Sequence, residues 1–316
     1  MSTDHESPSP LTLEALHHVT MITGDAQRNV AFYAGLLGLR LVKKTVNFDQ
    51  PEAYHLYFAD EHGSPGSVLT WFEFPGAQPG RAGAGMIHRL ELGVADSDAL
   101  DFWADRLGRH DHPATRTGDR VRFRDYDGLE FDLVAAGDGG NPPLRADHPE
   151  IPAQHAILGI EGARAFTAEP AAPHPLLTDT LGFTAGGPGE YTLTGTGRHV
   201  HWGYDAAPAA PGVQGAGTVH HIAWCSRDED HLGWQARARD AGQFVTEVKD
   251  RDYFRAIYFR EPRGVLFEIA TTGPGFAVDE DADHLGEQLR VPAMHAHRRE
   301  QLERTLTPVV NPRTTR

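Results

Sequence analysis

Two adjacent-histidine pairs, His17–His18 and His220–His221, stand far apart in the chain, each opening a short apolar run. A third residue belongs with them. Glu268 is the only charge in the run 265–270, VLFEIA. A carboxylate rarely enters an apolar strand unless it is paired or bound to a cation, because stripping its water costs several kcal/mol, on the order of the ion-burial penalty. A lone strand histidine is usually a hydrogen-bonded core residue. Two matched pairs together with a stranded glutamate point instead to a metal. Two imidazoles and one carboxylate on one ion leave neighbouring positions open, the facial arrangement of non-haem Fe(II) oxygenases. In a strand, successive side chains point to opposite faces, so only one histidine of each pair easily faces a common site. His18 shares its face with Leu16, Thr20 and Ile22, and His17 shares the other with Val19 and Met21. Alternation does not say which face is inward.

These residues need strands to hold them, and the sequence repeats the required pattern. LHHVTMIT from Leu16 matches VHHIAWCS from Val219. Each is followed by a helical pattern, AQRNVAFYAGLLG and DEDHLGWQARARDAG, stopped by Gly38 and Gly242. MIHRLELGV from Met86 and HAILGIEGARAF from His155 open two further units, with helical segments SDALDFWADRLG and PHPLLTDTLGF. Turn clusters GSPG, DYDG and EPRG separate later strands. The expected fold is α+β. Four tandem βαβββ modules, near 13–74, 85–136, 154–204 and 217–272, form two cup-shaped, half-open barrel sheets with helices outside. PGAQPGRAGAG, GDGGNPP and APAAPGVQGAG are the linkers, and PAMHAHRREQLERTL reads as a C-terminal helix. Two domains are expected, 1–150 with two modules and 151–316 with two modules and that helix. A cup lined by alternate strand residues is a natural small-molecule site.

Composition narrows the setting. The chain has 316 residues, 40% of them hydrophobic, and a net charge of −15. That charge argues against nucleic acid or an anionic membrane as partner. No stretch reaches the roughly 20 apolar residues of a membrane span, and MSTDHESPSP lacks a signal-peptide pattern, so a cytoplasmic protein is expected. The single cysteine, Cys225, excludes an intrachain disulfide framework and a multi-cysteine zinc site, and reads as a small core residue.

The segments LHHVTMITGDAQRNVAFY, YHLYFADEHGSPGSVLTWF, RDYFRAIYFREPRGVLFEIA and HLGEQLRVP together resemble the vicinal oxygen chelate superfamily, and within it the ring-cleaving hydroquinone 1,2-dioxygenases. The module architecture covers Leu13 to about Leu306, and YHLYFADEHGSPG is its most specific piece. The resemblance implies that the second histidine of each pair, His18 and His221, and Glu268 hold Fe(II), or Mn(II) in its place. It implies catalytic roles for Thr20, His220, Arg251 and Tyr258. His17 and His55 would contact a small aromatic substrate that reacts with O2, in a chain that could form a homo-oligomer. In an ideal strand His17 and His220 face away from the ligands, so their roles require a twist or bulge.

Two other functions compete with an extradiol-type dioxygenase opening a para-hydroquinone. A glyoxalase-like isomerase or lyase would need a fourth protein ligand. The module-one counterpart of Glu268 is Trp71, or Thr70 if the register slips, and Glu73 is the nearest carboxylate. A non-catalytic protein binding an aromatic ligand would use the same cup without the triad. A second metal site could draw on His88, Asp132 and His155, although the second module carries Arg89 or Leu90 where a ligand histidine would fall. His199, His201, His295 and His297 read as ordinary solvated or core residues. Residues 280–316 could form a lid or a subunit contact.

Overall fold

The computed structural model describes residues 11–136 and 140–313. The polar N-terminal decapeptide and residues 137–139 of the second linker lie outside the described residues. Four βαβββ modules follow one another. The first comprises β1 (Leu16–Thr23), α1 (Ala26–Val30), β2 (Arg40–Val46), β3 (Tyr54–Ala59) and β4 (Val68–Glu73). The second comprises β5 (Ile87–Val94), α2 (Ser97–Arg109), β6 (Thr115–Thr117), β7 (Arg120–Arg124) and β8 (Glu130–Ala135). The third holds β9 (Ile160–Thr167), β10 (Thr184–Ala185), β11 (Glu190–Thr194) and β12 (His199–Ala206). The fourth holds β13 (Val219–Ser226), α3 (His231–Asp240), β14 (Lys249–Asp250), β15 (Phe254–Arg260) and β16 (Leu266–Pro274). A short strand β17 (Leu289–Arg290) and helix α4 (Arg299–Thr305) end the described chain. Among the described residues no helix is long and apolar enough to cross a membrane.

The helices differ from simple expectation in an informative way. Asp96 caps α2 by accepting from the Ala99 N–H at 2.9 Å, and its apolar face buries Leu100, Trp103 and Leu107. In the first module the short α1 passes into a π-helical turn over Ala31–Leu36 and stops at Gly38, whose φ of 73° suits glycine. The third module's expected helix is only a π turn, Leu176–Thr180. Pro173 and Pro175 crowd its start, Thr178, Asp179 and Thr180 are weak helix formers, and Gly182 turns the chain out at φ 82°.

The sheets pair the modules in a set order. Nine strands run β14-β15-β16-β13-β1-β4-β3-β2-β17, joining modules four and one. Eight run β10-β11-β12-β9-β5-β8-β7-β6, joining modules three and two. The halves 1–150 and 151–316 thus each supply a module to each sheet. Antiparallel β1–β13 pairing is the seam of the first cup, and β5–β9 the seam of the second. The larger apolar core lies between the sheets and their helices. A smaller one, including Tyr57, Ala223, Phe254, Ala270 and Phe276, fills the floor of the first cup.

β17 adds in parallel to the edge strand β2, so the open edge of the nine-stranded sheet is covered by the chain's own C-terminal segment. Lys43 on β2 is fully buried. Its ammonium lies 2.6 Å from Asp279 and bonds Glu280, tying residues 279–280 across the cup.

Candidate metal centre

Register explains how three distant residues meet. Glu268 on β16 pairs with Ala223 on β13, which pairs with His18 on β1. A small alanine therefore separates the two ligand candidates along one row. His221 lies two residues before Ala223, on the same inward face, and pairs with Thr20. His18 Nε2 is 3.3 Å from His221 Nε2 and 3.5 Å from Glu268 Oε2, which in turn is 2.9 Å from His221 Nε2. All three side chains are buried, and one donor atom from each lies within 4.8 Å of the others. Among the described residues this is the one such group of three or more.

Neither Glu268 oxygen has an aligned hydrogen-bond partner, despite the short approach of His221. A fully buried carboxylate left this way is costly unless a cation completes it. Burial by itself would raise the Glu268 carboxyl. The adjacent imidazoles of His18 and His221 outweigh that and hold it well below the usual carboxylate range. Burial also pushes the His221 imidazole down, toward the neutral ring a metal needs. Two nitrogens and one oxygen of this kind suit Fe(II) or Mn(II), so the donor set fits the expected ion.

The outer ring nitrogens are held as well. His18 Nδ1 lies 2.9 Å from His17 Nδ1, and His221 Nδ1 lies 2.7 Å from His220 Nδ1. Such a contact fixes which nitrogen of a ligand imidazole faces the metal. Ideal alternation forbids these contacts, and a bulge supplies them. Between Leu16 and His18, β1 spends two steps against one on β13, and between His221 and Val219, β13 spends two against one on β1. His17 and His220 are the extra residues. Burial and the adjacent ligand histidine push both down to about 3, so both are neutral near pH 7.

A cavity of about 260 Å³ opens onto the triad. Its lining includes His55, Phe72, His220, Arg251, Phe254 and Tyr258, beside residues 47–50 of the loop after β2. Tyr258 pairs directly with Glu268 across β15 and β16, and its hydroxyl lies 3.3 Å from Arg251 Nε. Burial and the Glu268 charge raise the Tyr258 phenol, so it stays protonated. His55 is neutral too, pushed well down by burial, and its nitrogens contact Tyr57 Oη at 2.8 Å and Thr70 Oγ1 at 2.5 Å. Thr20 lies 3.3 Å from Thr70, beneath the surface of the cavity. His17 packs on His18 and Phe254 rather than lining the cavity, so its geometry favours orienting a ligand over touching substrate.

Other sequence-derived candidates fall elsewhere. Thr70, not Trp71, is the counterpart of Glu268, since Thr20–Thr70 in module one occupies the place of Ala223–Glu268 in module four. Glu73 is outside the cluster. It pairs with Thr23, next to the start of α1, and burial raises it to about 7. His88 stacks on Phe166 and bonds Asp205, while His155 stacks on Phe102, so they form no site with Asp132. Arg89 takes the register place of His18, and Gly162 that of His221. Arg122 lies 2.7 Å from the fully buried Asp132, and Arg164 lies 2.8 Å from both Asp205 and Glu190. Ion pairs therefore fill the second cup. Burial raises the Cys225 thiol to about 12, consistent with a core residue. The C-terminal segment meets the mouth of the first cup: His295 Nε2 lies 2.8 Å from the Phe48 carbonyl, and Arg298 pairs with Glu52.

The profile of the Glyoxalase/Bleomycin resistance protein/Dioxygenase superfamily matches residues 15–133 and 166–269, and the chain belongs to that superfamily. It is 41% identical, over 93% of its length and 96% of the relative's, to the Bacillus subtilis (strain 168) protein named "Putative ring-cleaving dioxygenase MhqO". It is 30% identical, over 95% and 98%, to the "Chlorohydroquinone/hydroquinone 1,2-dioxygenase" of Sphingobium indicum. A crystal structure of a dioxygenase-named protein from Bacillus subtilis superposes with a TM-score of 0.86 at 38% identity, covering 96% of this chain and 99% of that one. Maize glyoxalase I shares the fold at 14% identity and a TM-score of 0.56, over 82% and 92%. The chain is an enzyme of the dioxygenase type within this superfamily.

Proposed function

We propose that the protein is an Fe(II)-dependent, extradiol-type dioxygenase that opens a substituted para-hydroquinone with O2, Mn(II) being the expected substitute metal. The observation that carries this reading is the buried His18–His221–Glu268 cluster, whose carboxylate oxygens lack hydrogen-bond partners at the wall of an aromatic-lined cavity. His18, His221 and Glu268 would hold the ion, which when bound supplies an electron conduit between an aromatic diol and O2.

The other residues have assignable work. Phe72 and Phe254 clamp the ring and exclude water. With His221 Nε2 on the metal, the His221 Nδ1–H donates to His220 Nδ1, so neutral His220 carries its proton on Nε2 and can donate a hydrogen bond to a substrate oxygen in the cavity. Tyr258 keeps its proton and can donate a hydrogen bond to a substrate oxygen, and Arg251 beside it offsets the negative charge that develops. Thr20 pairs with His221 and bonds Thr70, fixing the strand beneath the site. Both atoms of O2 enter the product as one ring carbon–carbon bond breaks.

Anaerobic loading with Fe(II), followed by a hydroquinone and air, should consume about one O2 per ring opened, as metal-assisted dioxygenation requires. An oxygen electrode reads the stoichiometry. No uptake with any hydroquinone or catechol would overturn the proposal. Turnover with Ni(II) or Zn(II) and no O2 would favour a glyoxalase-like enzyme instead.

A further inference from the structure

The loop after β2 offers the cavity a side-chain donor on a largely buried residue. Asn47 is 7% exposed, and its Oδ1 accepts from the backbone N–H groups of Asp49 at 2.9 Å and Gln50 at 3.2 Å. This Asx turn fixes the carboxamide, because two backbone donors demand the oxygen on their side. Nδ2 must then point the other way. Asn47 lines the cavity that holds the triad, and no acceptor among the described residues takes a proton from its Nδ2. The loop is rigid at both ends: the Asn47 N–H donates to the Ala53 carbonyl, and His295 holds Phe48. A donor whose partner oxygen is fixed by the turn is held toward the cavity, where a ligand can complete it.

Position identifies which part of the ligand. The triad lies on β1, β13 and β16, whereas β2 is three strands beyond β1. The sheet curls back until the loop meets the far edge, where Arg251 Nη2 lies 3.4 Å from Asp49 and its guanidinium sits over the Phe48 ring. Asn47 therefore faces the triad across the cavity, with aromatic walls between them. A ring held at the triad by one oxygen projects its para position toward this side. A 1,4-diol places its second oxygen there. A 1,2-diol keeps both oxygens near the triad and leaves the amide unpaired.

We infer that Asn47 Nδ2 donates a hydrogen bond to the substrate oxygen farthest from the triad, and that this contact selects para-dihydroxy over ortho-dihydroxy arenes. The inference rests on the ring-cleaving reading for the identity of the ligand, but its test does not require turnover. Anaerobic titration calorimetry compares phenol, catechol, hydroquinone and hydroquinone monomethyl ether. The full chain is used in wild-type form and as Asn47→Ala and Asn47→Asp.

Wild-type protein should favour hydroquinone over phenol by on the order of tenfold, as one buried hydrogen bond allows. Asn47→Ala should erase that ratio. Phenol and catechol control for any loosening of the loop, since they bring no distal oxygen. Asn47→Asp keeps the turn acceptor and loses the donor, so it should weaken the monomethyl ether, which can only accept, and leave phenol unchanged. A hydroquinone-to-phenol ratio near one in the wild type, or a ratio unmoved in Asn47→Ala, would overturn the inference. Asn47-dependent binding without O2 uptake would sink the dioxygenase proposal and leave this one standing.

Discussion

Glu268 and Glu73 are both buried in the nine-stranded sheet, yet their carboxyls are driven in opposite directions. Two imidazoles hold Glu268 well down, whereas burial without a cation lifts Glu73 to about 7. A carboxyl raised in the folded state makes ionisation cost stability. That cost is absent below the unfolded value of about 4.5, grows as pH rises, and is complete above 7. Glu73→Gln should therefore melt higher than wild type at pH 8, and the gap should close as pH falls toward 4.5. Equal melting temperatures at both ends would contradict the burial argument. The same variant should keep its metal, because Glu73 lies outside the ligand cluster. The residue types of the triad were legible in the sequence: a charge inside VLFEIA and two HH pairs are visible without coordinates. Asn47 was not singled out. Its signal, an Asn two residues before Asp49 and four before Pro51, is a turn signature, and nothing in it says that the amide faces a cavity.

At the scale of elements, bulges decide which histidines face inward. Strict alternation puts His17 and His220 on the wrong face, and one extra residue in each strand restores them. The same irregularity recurs in the second sheet, at His88 and Glu161, where the described residues hold no metal triad. It therefore belongs to the module plan rather than to the metal. Bulges follow from pairing, which a single strand's sequence does not specify, so this part was not legible. Strand order was legible only as a requirement that the first and fourth modules meet. Closure of the cup depends on Lys43, whose ammonium has Asp279, Glu280 and the Tyr253 ring as partners. Lys43→Met should destabilise the protein by about 3–5 kcal/mol, the usual cost of breaking a buried ion pair, as read by denaturant unfolding. A loss below about 1 kcal/mol, the level of a surface pair, would show that the contact does not hold the cup.

At the scale of the molecule, one module plan yields two cups with different contents. In the first, the matched positions are His18, His221, Thr70 and Glu268. In the second they are Arg89, Gly162, Asp132 and Gly203. Arginine–carboxylate pairs occupy the second cup, so the chain should hold one metal rather than two. Both sheets draw on both halves of the chain, and the C-terminal segment returns to brace the first cup's mouth. The sequence could offer that segment only as a lid or a subunit contact, because its destination depends on where β2 ends. The account as a whole stands on the triad. Elemental analysis of protein purified and loaded with Fe(II) without oxygen tests it most directly. The wild type should carry about one iron per chain, as a single two-histidine, one-carboxylate site predicts, and Glu268→Ala should carry almost none. Full iron occupancy in a folded Glu268→Ala variant would contradict the account.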